Sequence, residues 1–260
     1  MPSTATYDFT GQVVLVTGGS SGIGLQVARD FVDAGAHVVI AGRTASRLEA
    51  AREQLGAGVT AVTTDVGDAA GVNALVDGVI RDRGHLDVVI SNAASFIPGD
   101  VTAVEPADWD QSVRTNLNGF FYLAKAVLPH LAASGGSFIA TSSVSGMRAD
   151  WGMPVYNAAK GAVSLFVQAL ALDWGAKGVR VNAVAPSLTS TEPVAAITGN
   201  PALRSQAEAR VALGRIAETG DISPVVLFLA SDAARYVNGV ILPVDGGTSA
   251  SNGQARWAAA

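Results

Sequence analysis

The 260-residue chain contains no cysteine, which excludes disulfides, thiolate zinc sites and a thiol nucleophile. Histidine is nearly as scarce. His37, His85 and His130 lie far apart, outside any ligand-spaced motif; each reads as a surface or strand-flanking residue, and no metal site is expected. Charge is thin as well: charged residues make up 15%, the net charge is -5, and no Lys/Arg cluster occurs. That balance argues against a nucleic-acid-binding surface. No uninterrupted apolar run approaches the ~18 residues of a membrane span. The start, Met1-Pro2-Ser3-Thr4-Ala5-Thr6-Tyr7, lacks the basic cluster and apolar core of a signal peptide. The expectation is a soluble, cytoplasmic protein with neither membrane nor nucleic acid as partner. What abounds is apolar: 49% hydrophobic residues and a mean hydropathy of +0.33. That exceeds the need of a soluble monomer, so apolar surface is expected to be covered between subunits.

The apolar residues are arranged in alternation. Gln12–Thr17 reads as a buried strand, followed by Gly18-Gly19-Ser20-Ser21-Gly22-Ile23-Gly24 and an amphipathic helix to about Ala34. Strand, glycine-rich turn and helix place a helix N-terminus where a phosphate can sit, with glycines letting the main chain approach it closely. The second strand, Ala36–Ala41, ends in Gly42-Arg43-Thr44, with no acid before Glu49. An NAD site usually carries an acid there for the ribose hydroxyls, whereas a guanidinium pairs with a ribose 2′-phosphate. Arg43 therefore points to NADP(H) over NAD(H), with Arg47 as a helper one helix turn on. Helices follow at about 45–55, 69–83, 108–132 and 155–174, and near 222–230. They alternate with strands at 59–64, 86–90, 137–141, 179–184 and 240–244. Seven such strands predict one α/β domain over 1–260: a Rossmann-type, doubly wound, seven-stranded parallel sheet flanked by helices. Ligands bind outside the carboxyl ends of such strands. The polar residues at those ends, Thr17-Gly18, Arg43, Asp65, Asn92, Ser143 and the Pro186 loop, should therefore line one edge.

In the 155–174 helix, Tyr156 and Lys160 are four residues apart and share a face. A phenol near its reference value of roughly 10 moves protons poorly at neutral pH, and a nearby cation favours the phenolate. Bringing it to about 7 takes roughly 4 kcal/mol, which one lysine and a cationic cofactor ring can supply together.

With these motifs in this order, Thr17-Gly18-x-x-x-Gly22-Ile23-Gly24, Asp65-Val66, Asn92-Ala93-Ala94, Asn116, Ser143, Tyr156-x-x-x-Lys160, Asn182-x-x-x-Pro186 and Val244-Asp245-Gly246-Gly247, the chain resembles the compact single-domain branch of the short-chain dehydrogenase/reductase family from Gly11 to Gly247. The resemblance implies Tyr156 as the general acid or base of ketone–alcohol interconversion and Lys160 as the group that lowers its pKa and holds the nicotinamide ribose. It implies Ser143, thirteen residues before Tyr156, as the hydrogen-bond donor to the substrate oxygen. Asn116 would support a water-mediated proton path to Lys160. The glycine-rich turn, with Ser20, Ser21 and Ile23, would hold the pyrophosphate. Asp65 and Val66 would contact adenine, Asn92 would steady the central strands and the cofactor, and Thr191, beyond Pro186, would reach the carboxamide. Ser95 and Ser187 stand where the family often has glycine.

For a substrate, Phe96 and Ile97, the segment 147–155 and the loop 187–210 are the expected pocket. Phe96, Trp151, Met153 and Leu188 would be apolar walls and Ser187 a possible contact, suiting an uncharged, partly apolar carbonyl compound or alcohol. The part of the loop from Pro193 to about Arg210 is polar and helical in pattern, as a lid would be. The tail 248–260, with Trp257, is either disordered or packed on a neighbour. The 155–174 helix is apolar on more than one face, and the resemblance implies a homotetramer. Two other readings remain open: an NAD-dependent alcohol dehydrogenase of the same family, and a non-catalytic NADP-binding sensor. An epimerase or dehydratase of the longer branch would need a larger C-terminal region.

Overall fold

The computed structural model describes residues 5–254; the expectation for Trp257 lies outside them. Short runs rich in Val, Ile and Ala form β1 (Val13–Thr17), β2 (His37–Gly42), β3 (Val59–Thr63), β4 (Val88–Ser91), β5 (Ser137–Thr141), β6 (Arg180–Pro186) and β7 (Ile241–Val244). They make one sheet in the order β3-β2-β1-β4-β5-β6-β7, with every neighbouring pair parallel. The chain winds outward from β1 to β3, then returns to build the other half from β4. The reversal leaves a crevice at the carboxyl ends of β1 and β4, where open α/β sheets bind ligands.

Both faces of the sheet are covered, so the strands are apolar throughout rather than alternating. Side-chain alternation along β1 divides the core. Val13 and Leu15 join the cluster formed by α3 (Ala69–Arg83), α5 (Gly119–Ser134) and α6 (Pro154–Gly175). Val14 and Val16 join that of α1 (Gly22–Asp33), α2 (Ala45–Leu55) and α9 (Thr219–Ala230). The helices that hold the candidate acid–base pair and those that frame the glycine-rich turn thus lie on opposite faces. Both reach the same sheet edge.

Two segments differ from the sequence expectation. The expected helix over 108–132 is α4 (Pro106–Ser112), then a π-helical stretch, Val113–Asn118, then α5. The wider turn holds Asn116, whose side chain is pulled toward the chain after β4: it accepts from Ser95 N at 2.9 Å and donates to Ser95 O at 3.0 Å. Gly119 makes the close approach possible, since a Cβ there would stand 2.8 Å from Val66 Cγ2. The segment after Pro193 is likewise broken, into α7 (Ala195–Thr198) and α8 (Pro201–Ala209). Asn200 Oδ1 restarts the helix by accepting from Ala202 N and Leu203 N, with Pro201 at the first helical position, where its missing N–H is not needed.

Candidate active site

The glycine-rich turn is shaped by contacts that only glycine permits. Gly18 and Gly22 have φ of +67° and +54°, and a Cβ on Gly24 would lie 2.3 Å from Gly18 O. The N-cap of α1, Ser21, makes no side-chain cap hydrogen bond, so the first N–H groups of the helix keep their polarity for a ligand. Thr17 and Asn92 lock this turn to β4. Thr17 Oγ1 donates to Ile90 O and accepts from Asn92 N at 3.0 Å. Asn92 Nδ2 in turn donates to the carbonyls of Thr17 and Gly18. This donor-rich cradle, free of Cβ atoms at Gly18, Gly19, Gly22 and Gly24, fits a dinucleotide pyrophosphate.

Arg43 is exposed at the end of β2. Burial alone would raise the Asp65 carboxyl, but the Gly67 N–H, the Arg114 guanidinium and the charge of Arg43 together hold it below the usual range. Arg114 Nη2 sits 2.8 Å from Asp65 Oδ2, and neighbouring Val66 is buried beneath. Arg47, expected to assist Arg43, is instead engaged by Glu192: its Nη1 and Nη2 donate to the two carboxylate oxygens at 3.0 Å each.

Across the crevice, Ser143 ends the extended stretch after β5 and caps a 3-10 turn, Val144–Gly146, by accepting from Ser145 N at 3.1 Å. A Cβ on Gly146 would lie 2.6 Å from the Lys160 carbonyl carbon and oxygen, so the turn lies directly against the backbone of α6. That contact sets Ser143 beside Tyr156, close enough to act on the phenol's pKa, while the Ser143 Oγ donates to Pro186 O at 3.5 Å. Ser142 and Ser145, the other serines of the stretch, are used elsewhere. Ser142 Oγ is 2.7 Å from Ser164 Oγ, and Ser145 supplies its backbone to Ser143.

Lys160 is 5% exposed and donates to Thr141 O at 2.6 Å. Burial without a carboxylate partner lowers its pKa to about 8. Its Nζ stands 5.8 Å from the Tyr156 ring centroid, on the ring face, within cation–π range. Burial pushes the Tyr156 phenol up, and the Ser143 hydrogen bond opposes that rise. The expected lowering of Tyr156 by Lys160 is therefore not built into the protein alone: the ammonium is anchored on Thr141. Asn116 is also fully engaged nearby, with Nδ2 donating to Ser112 Oγ at 3.1 Å as well as to Ser95.

The comparisons with known proteins bear on this geometry. A family model described as Enoyl-(Acyl carrier protein) reductase matches residues 17–249. The structure of a short-chain type dehydrogenase/reductase from Mycobacterium ulcerans superposes with a TM-score of 0.89 at 34% identity, covering 94% of this chain and 91% of that one. This chain is a short-chain dehydrogenase/reductase. The meso-2,3-butanediol dehydrogenase of Serratia marcescens is 39% identical to this dehydrogenase/reductase over 250 residues, 95% of this chain and 98% of that one. A putative NAD(P)-dependent gluconate 5-dehydrogenase from Beutenbergia cavernae, solved with NADP at low occupancy, is 31% identical, with a TM-score of 0.89 over 95% of this chain and 100% of that one.

On the substrate side of this short-chain dehydrogenase/reductase, Phe96 lies edge-on to Tyr156 with centroids 5.2 Å apart, and Met153 and Leu188 are half-buried. Two expected substrate contacts are placed otherwise. Trp151 is 94% exposed, on an outward turn rather than a wall. The Ser187 hydroxyl donates to Asp245 O at 3.3 Å, beneath the loop. Thr191 bonds its own loop at Thr189 O, while its Cγ2 would stand 3.2 Å from a Cβ on Gly22. The sequence gives no site role to Arg114, Thr141, Gly146 or Glu192. Of these only Gly146 carried a local signal, a glycine three residues past a serine at a strand end.

Proposed function

We propose that this short-chain dehydrogenase/reductase is an NADP(H)-dependent enzyme that interconverts a ketone or aldehyde and the corresponding alcohol. The observation that carries the reading is the convergence of Ser143, Tyr156 and buried Lys160 at the crevice edge opposite the glycine-rich turn. The nicotinamide, once bound, supplies hydride to the carbonyl carbon, or accepts it in oxidation. The protein's part is the proton and the polarity. In reduction the Tyr156 hydroxyl gives its proton to the carbonyl oxygen as the C–H bond forms, and Ser143 donates a hydrogen bond to the same oxygen. A phenol held protonated by burial suits the acid role. In oxidation the phenolate is needed, and the positive charge of the oxidised ring adds to that of Lys160 to favour it.

The turn residues Gly18, Ser20, Ser21, Gly22, Ile23 and Gly24 would hold the pyrophosphate, and Asp65, Val66 and Asn92 the adenine and central cofactor. Pro186 and Thr191 would flank the nicotinamide. Arg43, exposed and lacking an acidic substitute, supports the 2′-phosphate preference. The ring of Phe96 beside Tyr156 supports an uncharged, partly apolar substrate. The likeness to butanediol and gluconate 5-dehydrogenases adds small hydroxyketones as candidates. The apolar residues left exposed on neighbouring helices, Leu172 at 84%, Leu165 and Phe121, support a homotetramer.

The test is oxidation of NADPH and of NADH over a panel of aliphatic, aryl, cyclic and hydroxy-ketones, with Tyr156→Phe alongside. NADPH turnover that vanishes in the variant while binding persists is the expected result. A preference for NADH, or an Arg43→Glu variant that leaves NADPH kcat/KM intact, would refute the cofactor assignment. Binding without turnover across the panel would favour a sensor.

A further inference from the structure

The Arg47–Glu192 pair is unusual for where its partners come from. Arg47 lies in the first turn of α2, directly after β2, on the adenosine side; Glu192 follows β6, on the nicotinamide side. In the sheet, β2 and β6 are separated by β1, β4 and β5, a span of about 19 Å at roughly 4.8 Å per strand. From Pro186 to Glu192 the chain reaches at most about 21 Å, so the loop backbone and the two side chains, which meet at 3.0 Å, together bridge the carboxyl edge. The loop is held on the way. Ser190 N donates to Ala217 O at 2.8 Å and Ala217 N to Leu188 O at 3.2 Å, and Thr191 rests on the Gly22 turn. The loop therefore crosses above the N-terminus of α1, where a pyrophosphate would lie.

We infer that Arg47 and Glu192 form a clasp that fastens the substrate loop across the dinucleotide, so that cofactor leaves only after the pair opens. This rests on the nicotinamide-cofactor reading above. A bidentate guanidinium–carboxylate fork fixes geometry better than a lysine pair would. At an exposed site the pair holds by only a few-fold, which suits a closure that must open in every cycle. The clasp also engages the guanidinium expected to assist Arg43, leaving Arg43 without that help at a 2′-phosphate. Glu192 and Arg47 are positioning residues: they contact each other rather than the reacting atoms.

The experiment is stopped-flow dissociation of NADH and of NADPH from the full chain, for wild type, Arg47→Gln, Glu192→Gln, the double variant and the charge-swapped pair Arg47→Glu/Glu192→Arg. Each single change should raise the dissociation rate constant about 2- to 5-fold. The double variant should add nothing further, the swap should restore slow release, and high salt should speed the wild type more than the variants. Unchanged single variants, or effects that multiply in the double variant, would overturn the clasp while leaving cofactor binding intact. Faster NADPH release in Arg47→Gln alone, with Glu192→Gln silent, would make Arg47 a phosphate ligand and also overturn it. A wild type that binds neither dinucleotide would overturn the functional reading beneath it as well.

Discussion

Replacing Lys160 by methionine should remove turnover while leaving the protein as stable at neutral pH, or more so. The ammonium is 5% exposed, and among the described residues its one hydrogen-bond acceptor is Thr141 O at 2.6 Å. Burial takes its pKa from an ordinary 10.5 to about 8. At about 1.4 kcal/mol per pH unit, that gap destabilises the folded state by roughly 3 kcal/mol wherever the lysine is charged both folded and unfolded, which means below about pH 8. Between about 8 and 10.5 the unfolded chain binds the extra proton, so wild-type stability rises with pH, and above that window the penalty is gone. Methionine removes the charge but leaves the Thr141 carbonyl without its donor, which costs about 1–3 kcal/mol. The net expectation at pH 7 is a variant about 0–2 kcal/mol more stable, with a midpoint up to about 8 °C higher. Urea melts of both proteins at pH 7, 8, 9 and 10 test this, with kcat falling at least about 100-fold in parallel. A stability difference that stays flat from pH 8 to 10, or a variant more than about 1 kcal/mol weaker at pH 7, would refute the view of Lys160 as a destabilising group held for function.

Gly24→Ala puts a Cβ 2.3 Å from Gly18 O. Because the obstacle is backbone, the turn must move, at about 1–3 kcal/mol, and dinucleotide Kd measured by fluorescence titration should rise at least about tenfold. In Gly146→Ala the collision is with the Lys160 main chain. It should lift Ser143 away from Tyr156, so kcat falls while dinucleotide Kd holds; an unchanged kcat would mean the turn is not what aligns them. Asn116→Ala deletes side-chain hydrogen bonds to both Ser95 N and Ser95 O and should lower stability in urea by about 2 kcal/mol. It should also raise the KM for the carbonyl substrate, because Phe96 follows Ser95.

The strands and most helices were legible because each is written locally, in runs of β-branched residues or in helical periodicity. Helices 45–55 and 69–83 coincide with α2 and α3. The Tyr156–Lys160 relation was legible for the same reason, being one helix turn long. What escaped depends on partners distant in sequence. The π-helical turn at Asn116 is set by Ser95, and Arg47 is diverted by Glu192, 145 positions on. Asp65 is met by Arg114, which no local pattern relates to it. By sequence Trp151 reads as a wall because it is apolar and lies near Tyr156; its outward turn is set by loop geometry, where Gly152 takes φ of +65°. Tyr156 itself shows the limit of reasoning from residue types. Two charges-in-waiting on one helix face suggested mutual tuning, yet burial dominates both.

The packing of α9 on α1 sets an order of events during synthesis. Phe31 and Val27 of the first helix share a core with Ile222 and Val226 of the last. At roughly 5–20 residues per second, the ribosome needs about 10–40 s to pass from Asp33 to Thr219. For that time the nascent first half carries an uncovered apolar face and an unfinished sheet. It has no means of closing either until the last helix arrives. Early termination anywhere before Thr219 therefore yields not a smaller enzyme but a sticky fragment, one for chaperones to hold or proteases to clear.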